Sequence, residues 1–432
     1  MSYKVLIISP YFPPTNTADM QRVRMSLSYF GQYGWEAEVV TVDERYADMV
    51  QDDLLLQSIP EGIKIHTVKA LSKKWTTKFA LGSIALRSLW YYRKKVNALV
   101  KAEKYDLIYF STTQFPVCIL GAYWKKKFNI PYVIDMQDPW HSDYYREKPK
   151  EQQPSKYWFS YHLNKYLEPI AIKSCDGLVA VSKNYIDDLK ERYPSIKNIP
   201  AAVITFGAFE ADFTIAANNE EAFRPLLSPG FTNVVYIGRG GADMHKALVP
   251  FFEVLRAGLD TNPGLFNKLK IYFIGTSYAA TGKGLHTILP LAKQFGVEGN
   301  VVEITDRISF YHTLITLKQA DALLVPGSDD PNYTASKLYP YLLTGKPLLT
   351  IFNSKSEAID VLSEFGVINN YTYDTTVDLH DKINSFLTGV IKGELKLPDY
   401  KKTAEEKYSA KNMTRLQCDL FGRALKLMGE TE

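Results

Sequence analysis

The chain has 432 residues, 46% of them hydrophobic and 23% charged, which is the balance of a globular protein and not of a disordered, collagen-like or membrane-spanning one. Its 51 Lys and Arg residues exceed its 47 Asp and Glu residues by 4, an excess too small to indicate nucleic-acid binding, and we expect no nucleic-acid partner. At roughly 100 to 200 residues per domain, the length predicts two domains, or at most three.

The cysteines and the N-terminus indicate the compartment. Cys118, Cys175 and Cys418 lie far apart and outside any CxxC spacing, which favours reduced intracellular thiols over disulfides or a zinc site. The start, MSYKVLIISPYFPP, lacks the features of a signal peptide, and no apolar run reaches the roughly 18 residues that span a bilayer. We therefore predict a cytoplasmic protein that does not cross a membrane.

In chain order, the first half alternates short strands with helices. Strands are predicted at residues 4–9, 38–42, 106–110, 132–135, 177–181 and 203–206. After the first strand, Met20, Val23 and Leu27 recur at helical spacing, with Arg22 and Arg24 off that stripe. This spacing predicts an amphipathic helix lying on a sheet.

The second half repeats the pattern, with strands predicted at residues 233–238, 270–275, 300–304, 321–326 and 347–352. Alternating strands and helices predict an α/β fold with two Rossmann-like domains. We place the domains at residues 1–207 and 231–402, with a linker at 208–230 between them. The last segment, 403–432, is predicted as a helix that is free to cross back to the first domain.

The segment Lys69 to Lys104 carries ten Lys and Arg residues against one acid, Glu103, and it is interleaved with Trp and Tyr residues. Aromatic rings suit the headgroup zone of a bilayer while cations meet anionic lipid, so we favour a membrane-surface role on the inner face of the plasma membrane. A solvated helix face is the alternative, and contacts with RNA phosphates come third.

A glycine-rich turn, Gly238-Arg239-Gly240-Gly241, follows a predicted strand and precedes Lys246. Such a turn presents backbone N–H groups to an anion, and the two cations would neutralise a diphosphate. The spacing fits neither GxGxxG nor GxxxxGK[ST], so an ordinary tight turn explains it equally well.

A second polar loop follows the strand that ends at Pro326. It contains Asp329 and Asp330 and leads into a short helix that begins near Thr334, Ala335 and Ser336, with Lys337 beside them. Ligands bind at the carboxyl ends of strands in open α/β sheets, so these amides and the lysine favour a second phosphate contact over simple helix capping.

Taken together, the motifs resemble those of glycosyltransferase family 4, also called group 1, a large retaining family with the GT-B fold. The resemblance is carried by KVLIISPYFPP at the start, VIDMQDPW, CDGLVAVSKNY, YIGRGG followed by a lysine, and SKLYPYLLTGKPLL. It implies two facing Rossmann-like domains, the first binding an acceptor and the second a nucleotide-sugar, and a C-terminal helix returning to the first domain. It also implies a hexose transfer that uses neither a metal nor a further cofactor.

By position, the resemblance implies that Arg239 and Lys246 bind the diphosphate of the donor. It also implies that the backbone at residues 334–336 contacts the same phosphates. It places Gln137 and Asp138 beside the anomeric carbon and the acceptor hydroxyl, although an aspartate before Pro-Trp is also a common turn residue. It also implies that Asn16, Thr17 and Arg22 bind the acceptor. The resulting donor set is Gly238, Gly240, Gly241, Asp329, Asp330, Thr334, Ala335, Ser336 and Lys337.

Two features depart from the family pattern. Asn332 and Pro340 replace its pair of acids, and a proline side chain cannot hydrogen-bond a ribose, although Asp329 or Asp330 could substitute. Gln137 stands where the first-domain loop often has a histidine. We therefore expect a transferase that moves a hexose to a lipid-linked or saccharide acceptor in surface polysaccharide or glycolipid assembly. The alternatives are a nucleotide-binding scaffold without transfer activity and a nucleotide-sugar epimerase.

Overall fold

The computed structural model describes residues 2–76, 82–141, 146, 157–279, 281–330 and 338–429. It divides the chain into two compact units. The N-terminal unit comprises Met1–Gly207 and Tyr408–Glu432, and the C-terminal unit comprises Ala208–Lys407.

The N-terminal unit is built on a parallel sheet of seven strands in the order β3-β2-β1-β4-β5-β6-β7. The strands are β1 Tyr3–Ile8, β2 Trp35–Val42, β3 Ile65–Val68, β4 Leu107–Ser111, β5 Tyr132–Met136, β6 Gly177–Ala180 and β7 Ala201–Val203. The central strands are almost fully buried, since parallel sheets are covered on both faces and their sequences read as continuous apolar runs.

Helices cover both faces of this sheet. In chain order they are α1 Gln21–Ser26, α2 Lys73–Thr76, α3 Ile84–Ala102, α4 Ile119–Phe128, α5 Tyr157–Ile172 and α6 Lys183–Arg192. Successive strand residues point to opposite faces, and β4 shows this directly: the ring of Phe110 stacks on Trp124 of α4, while Tyr109 meets Phe421. The last residue belongs to the C-terminal helix, which therefore lies on the face opposite α4.

The C-terminal helix, Ala410–Gly429, returns to the N-terminal unit, as the sequence predicts. It packs on α1. Arg22 and Arg24, the two arginines off the apolar stripe of α1, are both fully buried. Arg22 binds Asp135, and Arg24 donates hydrogen bonds to Gln21.

The C-terminal unit has a parallel sheet of six strands in the order β10-β9-β8-β11-β12-β13. Its strands are β8 Thr232–Ile237, β9 Leu269–Ile274, β10 Val301–Ile304, β11 Ala322–Pro326, β12 Leu348–Phe352 and β13 Asn370–Thr372. Its helices are α7 Glu210–Asn218, α8 His245–Thr261, α9 Pro263–Phe266, α10 Leu289–Gln294, α11 Phe310–Gln319, α12 Leu338–Leu343, α13 Ala358–Phe365, α14 Leu379–Lys392 and α15 Lys402–Lys407, so the C-terminal helix is α16. The two-domain α/β fold predicted from the sequence is confirmed.

Residues 208–230, predicted as a linker, lie in the C-terminal unit. They contain α7, which packs on α11 and is held there by a hydrogen bond from the Tyr311 hydroxyl to Asp212. The sequence of α7 mixes acidic, small and apolar residues without a clear stripe, so periodicity alone did not reveal the helix.

Candidate functional site

The glycine-rich turn directly follows β8, at the carboxyl end of the C-terminal sheet. The amides of Gly238 and Gly240 donate to the carbonyls of Ile274 and Thr276, at distances of 2.9 and 2.8 Å. These two N–H groups extend the pairing with β9, so the expectation that they are free to bind an anion is wrong. A Cβ on Gly240 would lie 2.6 Å from Thr287 Oγ1, which explains why a glycine is needed at this close approach.

Arg239 is already paired within this turn. Its two terminal nitrogens bind both carboxylate oxygens of Asp243, at 3.0 and 2.6 Å. Burial alone would raise the pKa of Asp243, but hydrogen bonds from Arg239 and Ser328 outweigh it and lower the pKa below its usual value. Sequence reasoning missed Asp243, although its spacing of four residues from Arg239 is the signal of a local ion pair.

Asp243 also connects the glycine turn to the loop after β11. The Ser328 hydroxyl donates to its carboxylate at 2.6 Å, and the Asp329 amide donates to its backbone carbonyl at 2.8 Å. The two predicted donor loops are therefore joined through one residue.

Lys246 lies in the first turn of α8 and is exposed, with its Nζ 3.9 Å from a carboxylate oxygen of Asp329. Asp329 and Asp330 are both exposed, and the Asp330 amide donates to Ser328 Oγ. Arg239, Lys246 and these acids thus belong to one cluster at the carboxyl ends of β8 and β11.

Part of the predicted donor set lies outside the described residues. This holds for Thr334, Ala335, Ser336 and Lys337, and Asn332, which replaces a family acid, also lies outside the described residues. Pro340 is described and lies in α12, where it is half-buried. Its neighbour Tyr341 accepts a hydrogen bond from the Ile237 amide and donates one to the Ile237 carbonyl, at 2.7 and 3.0 Å. Through Tyr341, α12 holds the last residue of β8 just before the glycine turn.

A buried carboxylate, Glu303, organises the loop between β9 and α10, and sequence reasoning missed it. It accepts hydrogen bonds from the Thr276 hydroxyl and from the amides of Thr287, Ile288 and Leu289, at 2.7 to 3.1 Å. Thr276 and Thr287 are the residues that contact Gly240, so Glu303 fixes the wall against which the glycine turn rests. A glutamate at the end of an edge strand carries no sequence signal for such a role.

An open cavity of about 780 Å³ adjoins Lys246 in the C-terminal unit. Its lining combines residues of the first turns of α8 with residues that follow β13 and begin α14, including Tyr373, Asp378 and His380. The predicted diphosphate lysine therefore has open space beside it.

In the N-terminal unit, three polar side chains converge on Asp135 at the end of β5. Its Oδ2 accepts from Arg22 Nε, Ser111 Oγ and Gln137 Nε2 at 2.7 to 2.9 Å, and all four residues are buried. Arg22 also donates to the carbonyls of Ile204 and Thr205. The structure therefore places Arg22 inside the unit, where it ties β5 to the segment after β7, and its guanidinium does not face solvent.

Gln137 is likewise held in place, because its amide nitrogen also donates to the Asp19 carbonyl. The next residue, Asp138, is exposed. The surrounding protein desolvates its carboxylate, and the like charge of Asp19 adds to this effect, so its pKa is raised above the usual value. An accessible carboxylate with a raised pKa can accept a proton from a hydroxyl.

The N-terminal loop lies at the same edge of the sheet. Asp19, which is buried, accepts from the Thr112 hydroxyl and the Thr113 amide after β4. Asn16 is half-buried and its amide donates to the Val50 carbonyl, whereas Thr17 is buried and its hydroxyl has no hydrogen-bond partner among the described residues. The structure thus brings Gln137 and Asp138 next to Asp19.

The basic segment 69–104 forms α2, α3 and their flanks, with residues 77–81 outside the described part. In the described part, its exposed basic and tryptophan side chains are Lys69, Lys73, Lys74, Trp75, Trp90, Arg93, Lys94, Lys101 and Lys104. Arg87 does not belong to this surface, because it is buried and donates to the carbonyls of Leu71 and Tyr46.

Among the described residues, no group of three or more His, Cys, Asp and Glu side chains is placed to hold a metal ion. No described helix combines the length and apolar character needed to cross a bilayer.

Two Rossmann-like units of this construction, with the last helix returning to the first unit, define the GT-B class of fold. Residues 38–207 match the sequence model of glycosyltransferase family 4. The resemblance predicted from the motifs is thereby confirmed over residues 38–207, and the fold of the two units is of the GT-B type.

Solved structures with a similar fold include three that span nearly the whole chain. The N-terminal domain of trehalose-6-phosphate phosphatase from Candida albicans is 14% identical with a TM-score of 0.58, covering 98% of this chain and 97% of its own. Sucrose-phosphate synthase from Thermosynechococcus elongatus is 12% identical with a TM-score of 0.55, covering 98% and 100%. A trehalose-phosphate synthase from Burkholderia xenovorans is 11% identical with a TM-score of 0.55, covering 96% and 99%. At these identities the similarity concerns the fold, and no curated protein matches the chain significantly.

Proposed function

We propose that the protein transfers a hexose, with retention of anomeric configuration, from a nucleoside-diphosphate sugar to a membrane-associated or saccharide acceptor in surface polysaccharide or glycolipid assembly. The observation that carries the proposal is the cluster of Arg239 and Lys246 at the carboxyl end of β8 in a GT-B chain that matches the family 4 model over residues 38–207. Negative charge grows on the diphosphate as the nucleotide leaves, and the two cations would stabilise it there.

Proteins of similar fold fit this choice of donor and acceptor. The Burkholderia xenovorans enzyme is described as UDP-forming and was solved with glucose-6-phosphate. A trehalose-6-phosphate protein from E. coli, 11% identical with a TM-score of 0.50 over 99% of this chain and 98% of its own, was solved with UDP-2-fluoro glucose. By analogy, the present chain would bind a nucleotide-sugar and a hydroxyl-bearing saccharide, without a metal or another cofactor.

The N-terminal unit would bind the acceptor and take the proton from its hydroxyl. Asp138 is exposed, and its raised pKa suits a carboxylate that holds the acceptor hydroxyl and takes its proton. Gln137, fixed by Asp19 and Asp135, would orient the reacting groups.

The basic surface supports a peripheral position on the cytoplasmic face of the membrane. Trp75 and Trp90 are 70% and 57% exposed, and Lys94 lies over the ring of Trp90. The neighbouring helices continue this character: Lys127 of α4 lies over Tyr123, and Trp158 of α5 is 71% exposed. Exposed aromatic rings beside lysines match the headgroup region of an anionic bilayer.

Transfer is tested by incubating the protein with each nucleotide-sugar and a lipid extract, and by measuring the nucleoside diphosphate released. The proposal expects release that depends on the extract and falls at least about 100-fold in Arg239→Ala and Lys246→Ala. Lys396→Ala, an exposed lysine of the same unit, is the matched control and should match the wild type. Equal release by all four proteins would refute the assignment.

Membrane binding is tested separately by sedimentation with vesicles containing anionic lipid. Neutralising Lys73, Lys74, Arg93, Lys94 and Lys95 should abolish binding, because each basic residue near the surface adds about 1 kcal/mol. The control neutralises five other lysines, at positions 197, 268, 355, 392 and 396. If both variants bind equally well, the surface has another role.

Pro340 favours one other candidate. Its ring lies in α12 where the resemblance expects an acid that holds the donor ribose, so the chain could bind nucleotide as a scaffold without transfer. Nucleotide binding without any product, in the release assay above, would support that candidate.

A further inference from the structure

The contact between Arg239 and Asp243 has a consequence for ligand selection. We propose that Asp243 is an internal competitor for Arg239, which lowers the affinity of the donor site for nucleoside diphosphates more than its affinity for monophosphates. This inference rests on the proposed function, since it assumes that the site binds a nucleotide.

The geometry provides the first step. Both carboxylate oxygens of Asp243 accept hydrogen bonds from Arg239. A guanidinium binds two phosphate oxygens in the same bidentate arrangement. A diphosphate that takes this face of Arg239 must displace the carboxylate. The displacement lowers the affinity of every ligand that uses Arg239 and leaves unchanged the affinity of ligands that do not.

The charges of the cluster also favour competition between Asp243 and a diphosphate. Among the described residues of the cluster, the three carboxylates of Asp243, Asp329 and Asp330 stand against two cations, Arg239 and Lys246. The described part of the cluster is therefore negative by one charge. A ligand with a single phosphate gains little there, whereas the second phosphate of a diphosphate supplies the charge that competes with Asp243 for the arginine.

Displacement of the Asp243 carboxylate from Arg239 would also affect the residues that follow β11. Ser328 is buried, donates to the Asp243 carboxylate and accepts from the Asp330 amide. When Asp243 leaves Arg239, the loop that begins at Ser328 loses or shifts this contact. Binding of the diphosphate is thus coupled to the second donor loop.

The test compares the affinities of wild type and Asp243→Asn for a nucleoside diphosphate and for the matching monophosphate, by isothermal titration. We expect the diphosphate to bind about 3- to 10-fold more tightly to the variant, while the monophosphate changes by less than about 2-fold. Asp260→Asn is the matched control, because Asp260 forms an exposed ion pair with Arg256 at the same four-residue spacing in the same unit.

A second variant separates the loop contact from the ion pair. Ser328→Ala keeps the carboxylate on Arg239 but removes one hydrogen bond that holds it, so it should raise diphosphate affinity by no more than about 2-fold, less than Asp243→Asn does. Unchanged or weaker diphosphate binding by Asp243→Asn, or an equal gain in Ser328→Ala, would overturn the competitor role while leaving the donor site intact. Absence of nucleotide binding in every protein would instead refute the donor site itself, and with it this inference.

Discussion

Arg22 and Asp135 form an ion pair inside the N-terminal unit, with 2.7 Å between Nε and Oδ2 and no exposed surface on either side chain. The pair lies beneath Gln137 and reaches the segment after β7, so it joins the candidate acceptor loop to the end of the sheet. Arg22, which the sequence predicts to bind the acceptor, is therefore a buried residue that holds the candidate site together.

Removing the arginine should therefore destabilise the N-terminal unit. We expect Arg22→Met to lower its unfolding free energy by about 3 to 5 kcal/mol, because Asp135 is left as a buried, uncompensated charge. All six tryptophans lie at or before position 158, so tryptophan fluorescence in a urea titration reports on this unit. Arg45→Met, at an exposed pair with Asp43, is the control, and a similar loss there would contradict the account.

The returning helix α16 should be essential to the same unit. Phe421 is buried against Trp35, Tyr109 and Phe30, with ring centroids 4.9 to 6.3 Å apart. We expect Phe421→Ala to cost about 3 to 5 kcal/mol, since it removes an aromatic ring from a close-packed core. The same urea titration measures the loss, and Leu397→Ala, at an exposed position of the other unit, should leave the transition unchanged.

A cluster at the amino end of the N-terminal sheet should make stability depend on pH. Burial alone would raise the pKa of Glu38, but hydrogen bonds from Lys4, Tyr105 and His66 outweigh it and lower the pKa to about 2. Because the pKa in the folded protein lies below the ordinary value of 4.5, the stabilisation is present above pH 4.5 and is lost as the pH falls toward 2.

The size of this effect is on the order of 2 kcal/mol. Urea titrations at several pH values, followed by tryptophan fluorescence, would measure it for wild type and Glu38→Gln. The variant should show a shallower fall in stability between pH 5 and roughly pH 2.5. Parallel curves for the two proteins would show that Glu38 is not the group responsible.

Glu303 should act on nucleotide affinity through the glycine turn. We expect Glu303→Gln to weaken nucleoside-diphosphate binding by about 5- to 50-fold, because an amide cannot accept all the hydrogen bonds that hold Thr276 and Thr287. Asp321→Asn is the control. Its carboxylate accepts a hydrogen bond from the Asn233 amide at the amino end of β8, far from the glycine turn at the carboxyl end of the same strand. Equal losses of affinity in both variants would indicate a general effect on stability.

Periodicity and composition were sufficient to predict the two α/β units and most of their strands. β3 and β13 were missed, and both are edge strands of three or four residues that are only partly buried, so they lack the apolar run that marks a central strand. β7, also at an edge, was predicted two residues too late.

The site could be predicted less completely, because its residues act through partners that are distant in sequence. Arg239 and Lys246 follow a strand and carry a clear anion signal, but nothing in that signal shows that Asp243 already holds Arg239. Arg22 is separated from Asp135 by more than a hundred residues, and only the fold reveals that the two charges neutralise each other in the core. A single sequence does not distinguish a cation that binds a ligand from one that binds its own protein.

The central claim, that the C-terminal unit holds a nucleotide-sugar site, is tested most directly by thermal shift. The protein would be screened against UDP, GDP, ADP, CDP and their common sugar conjugates, since a ligand that binds only the folded state raises its melting temperature. We expect a rise with one nucleotide class, absent in Arg239→Ala and retained in Lys396→Ala. No rise with any of these ligands, while control proteins respond normally, would contradict this claim.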